Sequence, residues 1–145
     1  MSLFGSLSVS ASGLEAQRLR AETITSNLAN AETTRTPDGG PWRRRDVVMV
    51  SQAQTSPFSA VFQTELDSGQ VGVGVQEIRI DQREPELRYM PGHPDADPNG
   101  YVAFPHVQPA EEMVDLLGAS RGYQANVAAF GAVKDMLNRS IDLMK

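Results

Sequence analysis

The stretch "EEMVDLLGASRGYQANVAAFGAVKDMLNRSIDLM", residues 111–144, decides the fold. Met113, Leu116 (with Leu117), Ser120, Tyr123, Val127, Phe130, Lys134, Leu137, Ile141 and Met144 step by three and four without a break, the spacing of a single helix face. Pro109 suits a first helical turn, where its missing N–H has no partner to lose, and Glu111 and Glu112 suit the positive end of the helix dipole. The spacing predicts a helix from Pro109 almost to Lys145.

The same period returns at the other end of the chain. Leu3, Leu7, Leu14, Ala21, Ile24 and Leu28 fall on alternating heptad steps, with Ser10 and Gln17 in the polar gaps. Ser2 is placed to cap this helix, and "TTRTP", residues 33–37, ends it with β-branched residues and a proline. Glu15, Arg18 and Glu22 stand at three- and four-residue spacing and can pair along one side.

Between the helices the chemistry changes. "PDGGP" at 37–41, "MPGHP" at 90–94 and "PNG" at 98–100 are turn sequences. "DVVMVSQA" and "GQVGVGVQEIRID" have strand composition. Val71, Val73 and Val75 share one parity and Ile78 and Ile80 the other, so a bulge near Gln76 and Glu77 would bring both sets to a buried side. The expected fold class is α+β: long N- and C-terminal helices pair as a coiled-coil-like hairpin around a small, mostly antiparallel β-rich middle region. Its parts are an N-terminal assembly helix over residues 1–32, the middle region with long loops over 33–108, and a C-terminal assembly helix over 109–145.

On this register the backs of both helices are small or apolar: Gly5, Val9, Ser12, Ala16, Leu19, Thr23 and Ser26 in one, Gly118, Gly122, Ala125, Ala129, Ala132 and Met136 in the other. A two-helix hairpin in water should carry charge there. Either the register is displaced, or each helix is packed on several sides by neighbours. A helix of ~30 residues spans ~45 Å, far more than the middle region needs for cover. The ends therefore read as assembly elements, unfinished in a lone chain and expected to fray in dilute solution.

Composition removes several functions. Of 145 residues, 18 are acidic and 13 basic, a net charge of −5 that argues against nucleic acid as a partner. The one basic run, "WRRR" at 42–45, reads as a solvated strand edge. Apolar residues make up 40% and aromatics 6%, so any single core is thin. There is no cysteine, hence no disulfide or thiolate chemistry, and no apolar run reaches the length of a membrane span. The N-terminus lacks the pattern of a cleaved signal peptide.

The loop "GHPDADPNGYVAF", residues 92–104, imitates the first half of an EF-hand. Counting from Asp95, however, position twelve is His106 rather than a bidentate carboxylate, and Pro98 interrupts the loop. It reads as a turn whose Asp side chains bond its own backbone. His93 and His106 lack nucleophile partners, and "GVG" at 72–74 lacks the third glycine of a dinucleotide loop. Asn27 and Asn30 are poor helix formers; they either cap the helix end or hydrogen-bond across packed helices and fix their register.

The helices also carry recognisable wording. "TITSNLANAET", 23–33, resembles the N-terminal signature of flagellar rod, hook and related axial proteins, and "EEMVDLLGASRGYQANVAAF", 111–130, is similar to their C-terminal signature. "PGHPDADPNGYVAFPHV", 91–107, narrows the resemblance to the proximal-rod proteins of the basal body. Residues 37–84 match more loosely, and Gly118 and Gly122 stand where bulkier residues are expected.

The resemblance implies a structural, non-enzymatic subunit of the rod, placed in the basal body where it crosses the periplasm. Its terminal helices stack in helical array into a drive shaft that transmits torque and encloses the export channel. It implies partners: other rod proteins, further copies of this chain, the flagellar type III export apparatus and the basal-body rings. No cofactor, metal or small-molecule substrate is implied. The expected assembly interface is Leu7, Leu14, Ile24, Asn27, Leu28 and Asn30, with Met113, Leu117, Tyr123, Gln124, Asn126, Val127, Phe130, Leu137 and Ile141. Asp95, Asp97, Gly100 and Tyr101 form a structural loop. Another axial protein, a generic coiled-coil adaptor and a metal-dependent enzyme on the acidic loop are the alternatives.

Overall fold

A computed structural model describes residues 3–53 and 71–143. The expected cap at Ser2 and the last helical step, Met144, lie outside the described residues. Two long helices enclose the order of elements: α1 (Leu3–Ala29), β1 (Arg45–Ala53), β2 (Val71–Ile80), β3 (Glu86–Tyr89), β4 (Tyr101–Phe104) and α2 (Pro109–Asp142). Both helices fall close to where the sequence period puts them.

In α1 the many hydroxyls turn back on the helix. Ser8, Ser10 and Ser12 donate to the carbonyls of Gly5, Ser6 and Val9, and Thr23 and Thr25 to those of Leu19 and Ala21. A Ser-rich segment thus stays helical without unpaired polar groups. Asn30 ends it: its amide Nδ2 donates to the Ser26 carbonyl at 2.9 Å, and its Oδ1 accepts from Thr33 Oγ1 at 3.1 Å. In α2, Pro109 occupies the first turn with Glu111 and Glu112, and Arg139 sits in the last turn, each end complementing the dipole.

The two helices are antiparallel neighbours. Asn27 bonds Glu112, Gln17 faces Gly122, and Gly13 faces Asn126, so position rises along one helix as it falls along the other. The β-region is two separate antiparallel ribbons, β1 with β2 and β3 with β4. The first ribbon has its irregularity between Val48, paired to Glu77, and Met49, paired to Val75. Gln76 is therefore the extra residue, at the bulge the parity change implies. Its consequence differs from expectation: Val71, Val73, Ile78 and Ile80 all stand exposed rather than sharing a buried face. A two-stranded ribbon has only one side on the body of the molecule, here α1, where the Val73 amide donates to Ser12 Oγ at 3.1 Å.

The core is as thin as the composition suggests. Ala16, Ile24, Val47, Val102, Phe104, Val107, Ala119 and Val133 are its buried apolar members. No helix among the described residues is long and apolar enough to cross a membrane.

Candidate functional site

The helix seam runs along a different stripe from the one the large side chains suggest. On α2 the inward positions are Glu112, Ala119 and Val133, with Leu116, Gly122, Asn126 and Leu137 partly covered. It shares Leu116 and Leu137 with the expected stripe, but Glu112, Gly122 and Asn126 lie inward where Met113, Tyr123 and Val127 are expected. The reason is steric. Small residues let two backbones approach, and each glycine makes room for a polar side chain opposite. A Cβ on Gly13 would lie 2.9 Å from Asn126 Nδ2, and one on Gly122 would lie 3.1 Å from Gln17 Cδ. Gly122 thus belongs to the inner face, not the back.

On α1 the expected stripe is covered, with Ile24 buried and Leu7, Leu14, Ala21 and Leu28 half-buried. Ala16 and Thr23, read as its back, are buried as well. α1 lies between α2 on one side and the β1–β2 ribbon on another, so its own chain covers the small residues. Its solvent side carries Glu15, Arg18 and Glu22, where Arg18 Nε donates to Glu22 Oε1 at 2.8 Å.

α2 is different, because among the described helices and strands it packs on α1 alone. Its outward arc exposes Met113, Val114, Leu117, Tyr123, Val127, Phe130, Met136 and Ile141; Leu117 is 59% exposed. Of the expected interface residues, Met113, Leu117, Tyr123, Gln124, Val127, Phe130 and Ile141 are therefore on the open surface. Leu7, Leu14, Leu28, Asn30, Asn126 and Leu137 are half-buried, and Ile24 and Asn27 are buried within the chain. Beside the seam, a groove of about 600 Å³ lies between Ala21 and Thr25 of α1 and Leu116, Ser120 and Tyr123 of α2. Gln17 Oε1 lies at its margin, buried without a hydrogen-bond partner.

Behind this surface, where the hairpin meets β1, sits a polar junction. Asn27 is 0% and Glu112 1% exposed. Asn27 Nδ2 donates to the Arg45 carbonyl at 2.7 Å and to Glu112 Oε2 at 3.2 Å. Asn27 Oδ1 accepts from the Arg45 amide at 2.9 Å and from Trp42 Nε1 at 3.4 Å. Two donors and two acceptor positions are all used, which fixes the orientation of the amide. Glu112 Oε1 in turn accepts from Arg44 Nε at 2.5 Å, and Asp115 lies 3.6 Å from the same guanidinium. Burial pulls the Arg44 pKa down, but the hydrogen bond and charge of Glu112 outweigh it, leaving the group above its usual value.

The two asparagines thus divide the readings open to them: Asn30 caps, and Asn27 reaches across to the other helix. The "WRRR" run is likewise more than a solvated edge. Arg43 and Arg45 are exposed, with the Arg45 guanidinium 4.6 Å from the centre of the Trp42 ring, but Arg44 is held in the junction. The signal that could have found it is Glu112, an acid falling on the inward side of α2 that needs a cation.

The acidic loop joins β3 to β4. Thr34 Oγ1 donates to Asp95 Oδ2 at 2.8 Å and Arg35 lies 3.7 Å from Asp95 Oδ1, so Asp95 ties the segment after α1 to the loop. This replaces the expected bond from an Asp side chain to its own backbone; the ring that does so is His93, whose Nδ1 accepts from the Asp95 amide. Asp97 contributes its backbone, to Tyr101 and Gly100, and Gly100 adopts φ +81° beneath Tyr89. Tyr101 is exposed and meets Tyr89 edge to face at 5.4 Å. Among the described residues, no three His, Asp or Glu side chains converge as a metal site would require.

Comparison with known proteins places these features. The model of the family described as "Flagella basal body rod protein" matches residues 7–35, and that described as "Flagellar basal body rod FlgEFG protein C-terminal" matches residues 99–143. The matches fall on the two helices and the β4 segment. The flagellar basal-body rod protein FlgC of Borreliella burgdorferi is 40% identical over 151 residues, spanning 100% of this chain and 99% of the relative. FlgC of Bacillus subtilis is 41% identical over 152 residues, spanning 100% of both. FlgC of Salmonella typhimurium is 38% identical over 145 residues, spanning 99% of this chain and 98% of the relative.

Proposed function

The chain belongs to the FlgC family of flagellar basal-body rod proteins and is a structural subunit of the rod; from that premise we propose that it joins the rod through the outward arc of α2. The observation that carries this is the large apolar residues of that arc, which stay exposed after the hairpin has closed. Each Leu or Phe fully buried against a neighbour contributes ~1.5–3 kcal/mol, and repetition along a helical array prevents the subunits from sliding under torque.

In this reading the N-terminal, middle and C-terminal parts act as assembly helix, spacer and assembly helix. Neighbouring rod subunits, whether copies of this chain or relatives, lay their terminal helices on α2 in coiled-coil-like packing, and the groove beside Gln17 receives side chains from them. The assembled helices form the proximal drive shaft, cross the periplasm inside the basal-body rings and enclose the export channel. The subunit reaches its place through the flagellar type III apparatus, which favours a chain whose ends are loosely folded until assembly.

Val114→Asp and Leu117→Asp test the arc, at positions 67% and 59% exposed. Each places a charge on an exposed position that the hairpin itself does not need, so the purified variant should keep the wild-type far-UV circular dichroism. A strain carrying only the altered gene should be non-motile and yield basal bodies without a complete rod. Normal swimming with intact rods in both strains would remove the arc from the interface.

A further inference from the structure

We propose that Asn27 makes closure of the helix hairpin and ordering of the Trp42–Arg45 segment a single event, so that Trp42, the one tryptophan of the chain, reports whether α1 and α2 are paired. This concerns the chain alone and does not depend on its place in the rod.

The junction is built from three segments, and each needs both of the others to satisfy its polar groups. Asn27 is on α1, Glu112 on α2, and Trp42, Arg44 and Arg45 lead into β1. Withdrawal of α2 carries Glu112 away, leaving Arg44 without its partner and one Asn27 donor unmet. Withdrawal of 42–45 removes three of the four hydrogen bonds of Asn27, 0% exposed in the closed junction, and the Arg44 bond of Glu112, 1% exposed there. A buried polar group left unpaired is penalised far more than a made hydrogen bond is rewarded, so half-formed states of the junction are disfavoured. Apolar contact alone would have no such penalty, and each segment could leave independently. Whenever the hairpin opens, the entry to β1 is released with it.

The experiment follows two signals in one urea titration of the purified full chain: far-UV ellipticity for the helices and Trp42 emission for the junction. If the free chain begins with its hairpin open, a trimethylamine oxide titration drives closure instead, because excluded osmolytes favour burial. In the wild type the two curves should coincide. Gly13→Leu perturbs the seam ~21 Å along α1 from Asn27, where a Cβ already meets Asn126 at 2.9 Å. It should lower both midpoints by the same urea concentration although it touches no residue of the junction. Asn27→Ala should separate the curves, with Trp42 released first. If that variant lacks a folded baseline, the Gly13→Leu comparison decides alone. Separated wild-type curves, a Trp42 midpoint that Gly13→Leu leaves in place, or coincident curves in a folded Asn27→Ala would each overturn the inference.

Discussion

Removing one partner of the Arg44–Glu112 pair should cost very different amounts depending on which partner is left behind. Glu112 is 1% exposed, whereas the Arg44 side chain is 24% exposed and has Asp115 3.6 Å away as a second carboxylate. Arg44→Gln strands a carboxylate with only the Asn27 amide near it. Orphaning a buried charge costs about 3–5 kcal/mol, and partial relaxation places this case at the low end, about 3 kcal/mol. Glu112→Gln keeps the shape and an acceptor oxygen for Arg44, whose guanidinium still reaches water and Asp115, but its amide nitrogen cannot accept the 3.2 Å bond from Asn27 Nδ2. Its loss should be about 1 kcal/mol, the low end for one buried donor left unmet. The difference of about 2 kcal/mol is roughly thirtyfold in the folding equilibrium. Urea titrations followed by Trp42 emission measure it directly. The double variant should cost less than Arg44→Gln alone, because it leaves no stranded charge. A Glu112→Gln penalty equal to or above that of Arg44→Gln would refute the reasoning, since it would mean that the guanidinium, not the carboxylate, is the trapped group.

Three other outcomes follow from single features. Gly100→Ala forces a side chain into φ +81° and against Tyr89 Cε2 at 2.9 Å, so thermal unfolding should show a loss of about 1–3 kcal/mol; an unchanged melting temperature would place the turn elsewhere. Hydrogen bonding from Arg83, working against burial, holds Asp81 at about 2, below its ordinary 3.8. The stability this contributes is therefore present above about pH 4 and disappears as pH falls through 2; an NMR titration of the Asp81 carboxyl with a midpoint near 3.8 would dissolve the pair. Amide exchange along the helices should be slowest around Ile24–Asn27 and Ala119 and faster at the paired far ends, near Leu7 and beyond Val133, by about tenfold per 1.4 kcal/mol of local stability. Uniform protection from end to end would contradict it.

The sequence read well wherever the signal was local. Pro109 with two following acids marks the start of α2, and the switch of parity from Val75 to Ile78 marks the Gln76 bulge. On α2 side-chain size is a partial guide to the inner face. Leu116 and Leu137 are covered and Gly118, Ala125, Ala129 and Ala132 are exposed as expected, but Gly122 and Asn126 lie inward where Tyr123 and Val127 are expected. Met113, Tyr123 and Phe130 step as a helix face should, but Glu112, Ala119, Gly122 and Asn126 step the same way one residue earlier. Only the partner decides between two such stripes, and α1, with Gly13 against Asn126 and Gln17 against Gly122, suits the smaller one. The junction was invisible for a related reason. Nothing local separates Asn27 from Asn30, or Arg44 from Arg43 and Arg45; the distinction comes from Glu112, 85 positions from Asn27 and 68 from Arg44.

The composition of this seam carries a physical point about a subunit of this kind. A seam whose buried members on α2 are Glu112, Ala119 and Val133, with its leucines only half-buried, removes a modest apolar area from water, so it contributes modestly to the stability of the lone hairpin. What it supplies is register, because Gly13 accepts Asn126 and Gly122 accepts Gln17 at fixed levels, and Asn27 locks the end nearest the β-region. The residues able to contribute ~1.5–3 kcal/mol each on burial point outward on α2 and gain that energy only against another surface. Alignment is thus settled inside one chain while cohesion is reserved for contact between chains. Exchanging the two stripes would strengthen the isolated molecule and leave its outer face with nothing to hold a neighbour.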